Sequence, residues 1–449
     1  MSERIPFLAS DRPSDRPSPD RDRRFTRYMR ELHEKLVTAL NVVAAGALTD
    51  EQLRQEVRRA AEGLSRNAPE LLTTAERERL VQEVMDEAFG LGPLEPLMKD
   101  PAVTDILING PRTVYVERHG RLVPAPVQFD DDRHLRQVVQ RIVGRVGRRV
   151  DESSPLVDAR LPDGSRVNAV LAPVALDGTV VSIRRFGGRP LRLDDLVAAG
   201  ALVPEMAAFL TACVRSRVNV VISGGTGSGK TTLLNALSAF IPDGERIVTI
   251  EDAAELRLQR RHVVRMETRP GNVEGVGVVT TRDLVRNALR MRPDRIIVGE
   301  CRGPEALDML QAMNSGHDGS MTTLHANDTR DAIGRIEIMV GGAGLELPIW
   351  AIRRQVASAV QVIVQTARLS GGVRKVTRVS EVTGFDGVEV GVVDLFGFEQ
   401  EGVEQERAVG RFHATGARPR CLDRLRAHGE KLPDGLFERR AVPAAGARA

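Results

Sequence analysis

The sequence predicts an α/β fold: a phosphate-loop domain built on a mostly parallel sheet, preceded by a smaller α+β domain and a helical bundle. Three observations predict it. A glycine-rich loop stands between an apolar run and a helix start near residue 224. From about residue 191 to 345, apolar runs alternate with helical patterns, as parallel βα units require. Before that, the pattern changes near residue 100 from helical spacing to short strands split by turns.

The loop is Gly224-Gly225-Thr226-Gly227-Ser228-Gly229-Lys230-Thr231-Thr232, with the spacing G-x-x-x-x-G-K-[ST]. It follows Val218-Asn219-Val220-Val221-Ile222, which reads as a buried strand, and precedes the helix start Leu233-Leu234-Asn235-Ala236-Leu237. That context marks a phosphate-binding loop. Glycines allow a tight turn, so successive N–H groups face phosphate oxygens. The helix N-terminus adds the positive end of its dipole. Lys230 can reach the β- and γ-phosphates, and the Thr231 hydroxyl can hold Mg²⁺. These nine residues are the expected nucleoside triphosphate contacts.

The 449 residues suffice for two to four domains. No apolar run is long enough to span a bilayer, and Met1-Ser2-Glu3-Arg4 leads into a Pro/Asp/Arg-rich tract rather than a signal peptide. Any membrane role is therefore expected to come through partners. Cys213, Cys301 and Cys421 show no C-x-x-C spacing, which argues against a zinc site or disulfide framework and fits a reducing cytoplasm. A formal charge of +3 does not suggest nucleic acid, and 3% aromatics leave few stacking platforms for single strands.

Residues 1–24 repeat Ser-Asp-Arg-Pro and read as a disordered leader. Residues 25–99 read as a three-helix bundle. Leu32, Leu36, Leu40 and Val43 mark its first helix; Leu53, Val57, Ala60 and Leu64 its second; Leu80, Val84 and Ala88 its third. Thr49-x-x-Gln52 and Thr73-x-x-Glu76 look like capping boxes, and Gly90-Leu91-Gly92-Pro93 ends the last helix. Residues 100–186 form the α+β domain, with strands at 103–110, 114–117, from 122, 166–170 and 179–183, and a helix through Leu135, Val138, Val139, Ile142 and Val146. His119-Gly120 reads as a turn, and residues 187–200, opening with Gly187-Gly188-Arg189-Pro190, as a linker. Residues 201–405 form the phosphate-loop domain, ending in strands at 360–364, 375–379 and 388–393. Residues 406–449 read as a basic, loop-rich extension.

Hydrolysis of a triphosphate needs more than a cradle: a carboxylate near Mg²⁺, a group that positions water, and positive charge for the transition state. Arg246-Ile247-Val248-Thr249-Ile250-Glu251-Asp252 is a strand ending in two acids, and Asp294-Arg295-Ile296-Ile297-Val298-Gly299-Glu300 is another ending in one. Ligands of open α/β sheets lie beyond the carboxyl ends of the strands, so Glu251, Asp252 and Glu300 are placed there. Glu300 holds the position where phosphate-loop proteins bind Mg²⁺ and its waters. His325 follows a further strand and reaches the same edge. Arg160, Arg166, Arg184 and Arg185 of the α+β domain could act as arginine fingers.

Taken together, Gly-Gly-Thr-Gly-Ser-Gly-Lys-Thr-Thr, Thr-Ile-Glu-Asp, Arg-Pro-Asp-Arg-Ile-Ile-Val-Gly-Glu-Cys-Arg and Thr-Leu-His-Ala-Asn, in that order, resemble the secretion ATPase superfamily of type II and type IV systems and pili. Within it the chain looks most like the tight-adherence (Tad) pilus ATPases, the CpaF-like or TadA-like proteins. Four stretches carry the narrower likeness: residues 104–110, 148–155 (with Asp-Glu-Ser-Ser-Pro), 158–169 and 182–186. The resemblance covers roughly residues 25–435. It implies an ATP- and Mg²⁺-dependent homo-hexameric ring with a RecA-like motor domain and a PAS-like N-terminal domain. It implies docking on an inner-membrane platform protein from the cytoplasmic face, with no nucleic acid. By position, Lys230 and Thr231 serve phosphate and metal. Glu251 belongs to the acidic box, Glu300 to the Walker B site as metal and water residue, and His325 to the histidine box. Arg166 and Arg184, and less closely Arg160, match arginines that reach the nucleotide. The missing C-x-x-C pairs argue against the type II assembly branch. Type IV secretion ATPases are the second reading, and a RecA-like nucleic-acid translocase a distant third.

Overall fold

The computed structural model describes residues 50–66, 73–118, 120–186, 190–269, 271 and 276–443. The expected leader, the first bundle helix, Thr49, His119 and Gly187–Arg189 lie outside the described residues. The chain divides into two compact units: residues 1–116 with 123–185, and residues 117–122 with 186–449.

In the first unit, helices α1 (Asp50–Arg66) and α2 (Thr74–Phe89) bury Val57, Ala61 and Val84 between them. Thr73 and Glu76 close a full capping box at the start of α2. The cluster at Gly90 ends α2, and a short helix α3 (Glu95–Lys99) follows. Strands β1 (Val103–Asn109), β2 (Val114–Arg118), β3 (Arg121–Pro124), β4 (Leu156–Arg160), β5 (Arg166–Val170) and β6 (Val180–Arg184) form one sheet in the order β3-β2-β1-β6-β5-β4. Helix α4 (Asp132–Gly144) buries Leu135, Val138, Val139, Ile142 and Val143 in the same core as Ile106, Ile108, Val167 and Ile183. This is the PAS-like α+β unit. The sequence reading did not anticipate β4. It pairs with β5 through a turn at Asp163-Gly164, where Asp163 accepts the Ser165 N–H at 2.8 Å.

In the second unit, helices α5 (Leu193–Ala198) and α6 (Pro204–Arg215) precede β7 (Val220–Gly224) and α7 (Lys230–Ser238). Next come β8 (Ile247–Glu251), β9 (Val263–Glu267), α8 (Thr281–Ala288), β10 (Arg295–Val298), α9 (Glu305–Asn314), β11 (Met321–Leu324), α10 (Thr329–Gly341) and α11 (Ile349–Ala359). The chain closes with β12 (Val362–Arg368), β13 (Arg374–Phe385), β14 (Val390–Glu404), β15 (Arg407–Ala414), α12 (Leu422–Ala427) and β16 (Arg440–Val442). All ten strands share one sheet, β16-β15-β14-β13-β12-β7-β11-β10-β8-β9. The segment β12-β7-β11-β10-β8-β9 is parallel, and β12 through β16 continue antiparallel.

Strands β7, β8, β10 and β11 are buried along their whole length, as a parallel sheet covered on both faces must be. Val220 and Ile222 pack with Phe209 and Leu237 on one face, and Val221 packs with Met309, Ile336 and Val356 on the other. This is the RecA-like motor domain. No helix among the described residues is long and apolar enough to cross a membrane.

Two domain expectations need correction. Residues 187–200 are not all linker, because 193–198 form α5 with Leu193 buried in the motor core. The extension expected at 406–449 is, over its described residues 406–443, part of the sheet, because β15 pairs with β14, and β16 with β15. Ala408, Phe412 and Ala414 alternate inward against exposed Arg407 and Arg411. The period-two pattern of a strand was hidden by basic residues on its outer face.

Candidate active site

The parallel strands deliver the motif residues to one edge, the carboxyl edge. Gly224 ends β7, Glu251 ends β8, Glu300 lies two residues beyond β10, and His325 follows β11 directly. The loop from Gly224 to Gly229 then enters α7, whose first-turn N–H groups have no intrahelical acceptor. Gly224 has φ 152°, and a Cβ there would lie 2.3 Å from the Thr366 carbonyl oxygen and 2.7 Å from Ser228 Oγ. Only glycine lets β12 approach the base of the loop so closely.

Lys230 is 8% exposed, and its ammonium donates to the carbonyls of Gly224 at 2.9 Å and Gly225 at 3.0 Å. It also lies 3.3 Å from His325 Nε2. Thr231 and Thr232 occupy the same first turn, half-buried, while Gly225 and Thr226 are exposed. Ser228 is buried and donates from Oγ to the Gly225 carbonyl at 2.8 Å.

His325 Nε2 is 2.7 Å from Glu300 Oε1. That contact lacks hydrogen-bond alignment, since Glu300 Oε1 has no hydrogen-bond partner. One ring nitrogen cannot accept a proton from Lys230 and donate one to Glu300, so the protonation of His325 decides which neighbour it serves. Burial, then the Lys230 charge, push the His325 pKa down; Glu300 pulls it up, and Arg302 and Arg335 push it down further. The resulting preference is for the neutral ring, which accepts from Lys230.

Glu251 is 4% exposed. Its Oε1 accepts the N–H groups of Glu255 at 2.8 Å and Leu256 at 2.9 Å, while Oε2 is buried with no hydrogen-bond partner. Burial raises its pKa from 4.5 to about 6, against the lowering effect of the two backbone N–H groups. A Cβ at Gly299 would lie 2.8 Å from Glu251 Cγ, so that glycine makes room for the carboxyl group. An orphaned buried oxygen beside a glycine cradle and a lysine held on loop carbonyls fits the magnesium nucleotide that the motif implies.

Asp252, considered beside Glu251, turns elsewhere. It accepts the Thr281 hydroxyl at 3.0 Å and lies 3.7 Å from Arg302. Sequence reasoning passed over Arg302, which grips Glu300 Oε2 from NH2 at 2.6 Å and Nε at 2.8 Å. Its signal was its position, two residues past an acid that needs a cation.

Arg160, Arg166 and Arg184 are brought together in the first unit. The sheet register sets Arg160 opposite Arg166, Arg166 opposite Arg184, and Arg184 opposite Asp105. Residues facing across paired strands share a face, so the three guanidinium groups form a row away from buried Ile183 and Val167. Arg184 is 3.6 Å from Asp105. Arg185 points elsewhere: its NH1 donates to the carbonyls of Asp100 and Val103.

A glycine cradle, a loop lysine and strand-end carboxylates on a parallel sheet define a phosphate-loop protein. The chain belongs to the T2SSE family of type II/IV secretion system proteins, whose model matches residues 87–411. A Mycobacterium tuberculosis (strain ATCC 25618 / H37Rv) protein with a provisional conjugal-transfer name is 42% identical over 300 residues, covering 66% of this chain and 85% of the relative. The type IV secretion system protein VirB11 of Brucella suis biovar 1 is 33% identical over 314 residues, covering 64% of this chain and 87% of VirB11. A crystal structure of the VirB11 ATPase from the Brucella suis type IV secretion system with sulphate aligns at 31% identity and TM-score 0.35, covering 66% of this chain and 97% of that one.

Proposed function

We propose that this chain hydrolyses ATP and works as the homo-hexameric motor of a secretion or pilus machine. The observation that carries the reading is the meeting of Lys230, His325 and Glu300 at the strand edge, beside a buried Glu251 oxygen with no partner. Loop N–H groups and Lys230 hold the β- and γ-phosphates, with Gly224 to Thr232 forming the cradle. Thr231 and Glu300 would hold Mg²⁺, which would supply charge neutralisation at the phosphates. Glu300 orients the attacking water, Glu251 assists, and His325 senses the γ-phosphate by exchanging Lys230 for Glu300 as its partner. We assign to Arg166 and Arg184, with Arg160 beside them, the positive charge that the transition state requires.

The finer reading is a Tad-like pilus motor at the cytoplasmic face of the inner membrane, acting on a platform protein and not on nucleic acid. The Asp-Glu-Ser-Ser-Pro stretch and the long N-terminal helical region support it. The names of the conjugal transfer and VirB11 relatives favour a second reading, a type IV secretion ATPase.

The test uses purified full-length chain with ATP and Mg²⁺. Phosphate release together with a hexamer-sized species on a sizing column supports the motor. Absence of both sinks it, and stimulation by single-stranded DNA would contradict the exclusion of nucleic acid. Deletion in the host then separates the finer readings, by loss of surface pili or by loss of macromolecular transfer.

A further inference from the structure

Strand β12 is apolar at Val362, Ile363 and Val364, then turns polar at Gln365 and Thr366, which are 4% and 3% exposed. Buried amides and hydroxyls are costly unless partnered, and these two are partnered in an informative way. The register sets Gln365 beside Ser223 and Thr366 beside Gly224, while Ser223 pairs on its other side with Leu324. The Gln365 amide therefore lies one strand away from the segment that carries His325.

It crosses that strand. Gln365 Oε1 accepts the Ser223 hydroxyl, and Nε2 donates to the carbonyls of Ala326 at 3.1 Å and Asn327 at 3.0 Å. The amide orientation follows from this network, since a flipped group would set its oxygen against two carbonyls. On the far side, the Asn327 N–H donates to Asp331 at 2.8 Å and Asp328 caps α10. His325 thus sits in a stretch tied by Leu324 to β7, by Ala326 and Asn327 to Gln365, and by Asn327 and Asp328 to α10. Thr366 ties the other end: its one hydroxyl proton is shared between the Ser223 carbonyl at 3.0 Å and Ser228 Oγ at 2.8 Å. Ser228 in turn donates to the same Gly225 carbonyl that Lys230 holds.

We infer that Gln365 is a positioning residue: it sets the His325 segment against the phosphate loop and passes nucleotide occupancy of the loop to that segment through Ser223. It touches no phosphate. A phosphate group that takes Lys230 from the Gly224 and Gly225 carbonyls fixes the loop, and with it the end of the brace held by Ser228 and Thr366. The amide then carries that change to Ala326 and Asn327. The kinetic consequence rests on the ATPase reading above; the structural consequence does not.

The test uses the full chain with Gln365→Met, which keeps length and loses all three hydrogen bonds, and Gln365→Glu, which keeps the acceptor for Ser223 but turns a carboxylate oxygen on the two carbonyls. Ser223→Ala, which removes one bond, serves if neither variant folds, with a smaller expected effect of the same kind. Amide hydrogen exchange is followed with and without ADP and Mg²⁺. In wild type, nucleotide slows exchange both in the loop at 224–232 and at 325–331. In the variants the loop is still protected, and protection at 325–331 is lost. In phosphate release, Gln365→Met lowers kcat roughly tenfold or more with KM changed less than about threefold. Added to His325→Ala, it lowers kcat no further. Wild-type-like protection at 325–331 in the variants, or a fully additive loss of kcat in the double variant, overturns the inference. A wild type that releases no phosphate while the exchange results hold would overturn the ATPase reading and leave the brace standing.

Discussion

The parallel sheet buries charge at both ends and treats it in opposite ways. At the amino ends of the strands, fully buried Arg295 binds Glu245 through Nε and through NH2 at 3.2 Å, and its NH1 donates to the carbonyls of Val214 at 2.7 Å and Gly319 at 3.3 Å. Arg217 adds a second cation, 3.1 Å from Glu245 and 3.4 Å from Asp294. The buried charges there are answered by partners. At the carboxyl ends, Glu251 keeps one buried oxygen without a partner, Lys230 rests on loop carbonyls, and His325 faces two incompatible neighbours. A satisfied cluster holds a sheet together, and an unsatisfied one waits for a ligand. The difference separates fully partnered from incompletely partnered buried charge in one domain without reference to any relative.

The amino-end cluster predicts the largest effect. Arg295→Met leaves Glu245 in the interior with Arg217 as its remaining cation and should cost about 3 kcal/mol in denaturant unfolding. A further Glu245→Gln should recover part of that loss. An unfolding midpoint unchanged by Arg295→Met would break the comparison at its structural end.

Gly224→Ala comes next and acts at the other end. With its Cβ 2.3 Å from a carbonyl and φ at 152°, the backbone must move. We expect a loss of about 1–3 kcal/mol of stability together with loss of nucleotide binding by titration. Stability lost with binding intact would mean that the cradle is not the phosphate site.

Glu251→Gln sharpens the comparison through its sign. A folded-state pKa near 6 against 4.5 means that the folded chain holds the proton more tightly than the unfolded chain. The native state therefore loses stability as pH rises from about 4.5 through 6, and the cost is fully present above that window. Removing the charge should stabilise the chain by about 1–2 kcal/mol at pH 8 and by nothing measurable at pH 4. A loss of stability at pH 8 would show that Glu251 is already satisfied.

The smallest effect is expected in the arginine row. Arg184 is half-exposed and 3.6 Å from Asp105, so Arg184→Ala should shift stability by no more than about 0.5 kcal/mol. Phosphate release should fall roughly tenfold or more. A thermal melt and a turnover assay on one preparation distinguish these outcomes.

How much of this was legible depended on how local the signal was. Glu251, Glu300 and His325 could be read because each follows a short strand-like run, and parallel strands present their ends together. The loop could be read because spacing alone dictates it. Gln365 and Thr366 could not, since their role arises from the pairing of β12 with β7, some 140 residues earlier in the chain. Arg302 was hidden inside a motif whose acid drew the attention. Strand β9 escaped because only Val264 and Met266 alternate, with Arg265 between them, before Glu267. Strand β15 escaped because Arg407, Arg411 and His413 outweighed its buried alternation in composition. The arginine row could be guessed residue by residue, but its register came only with the sheet.

The most direct test of the central claim is phosphate release from ATP and Mg²⁺ by wild type, Lys230→Ala and Glu300→Gln, with nucleotide binding measured on the same samples. The carboxyl edge as described predicts turnover by wild type alone. Glu300→Gln should still bind nucleotide, with turnover reduced roughly 100-fold or more, and Lys230→Ala should fail at both. Turnover by Glu300→Gln at the wild-type rate would contradict the account, because the unsatisfied edge would then not be where the chemistry happens.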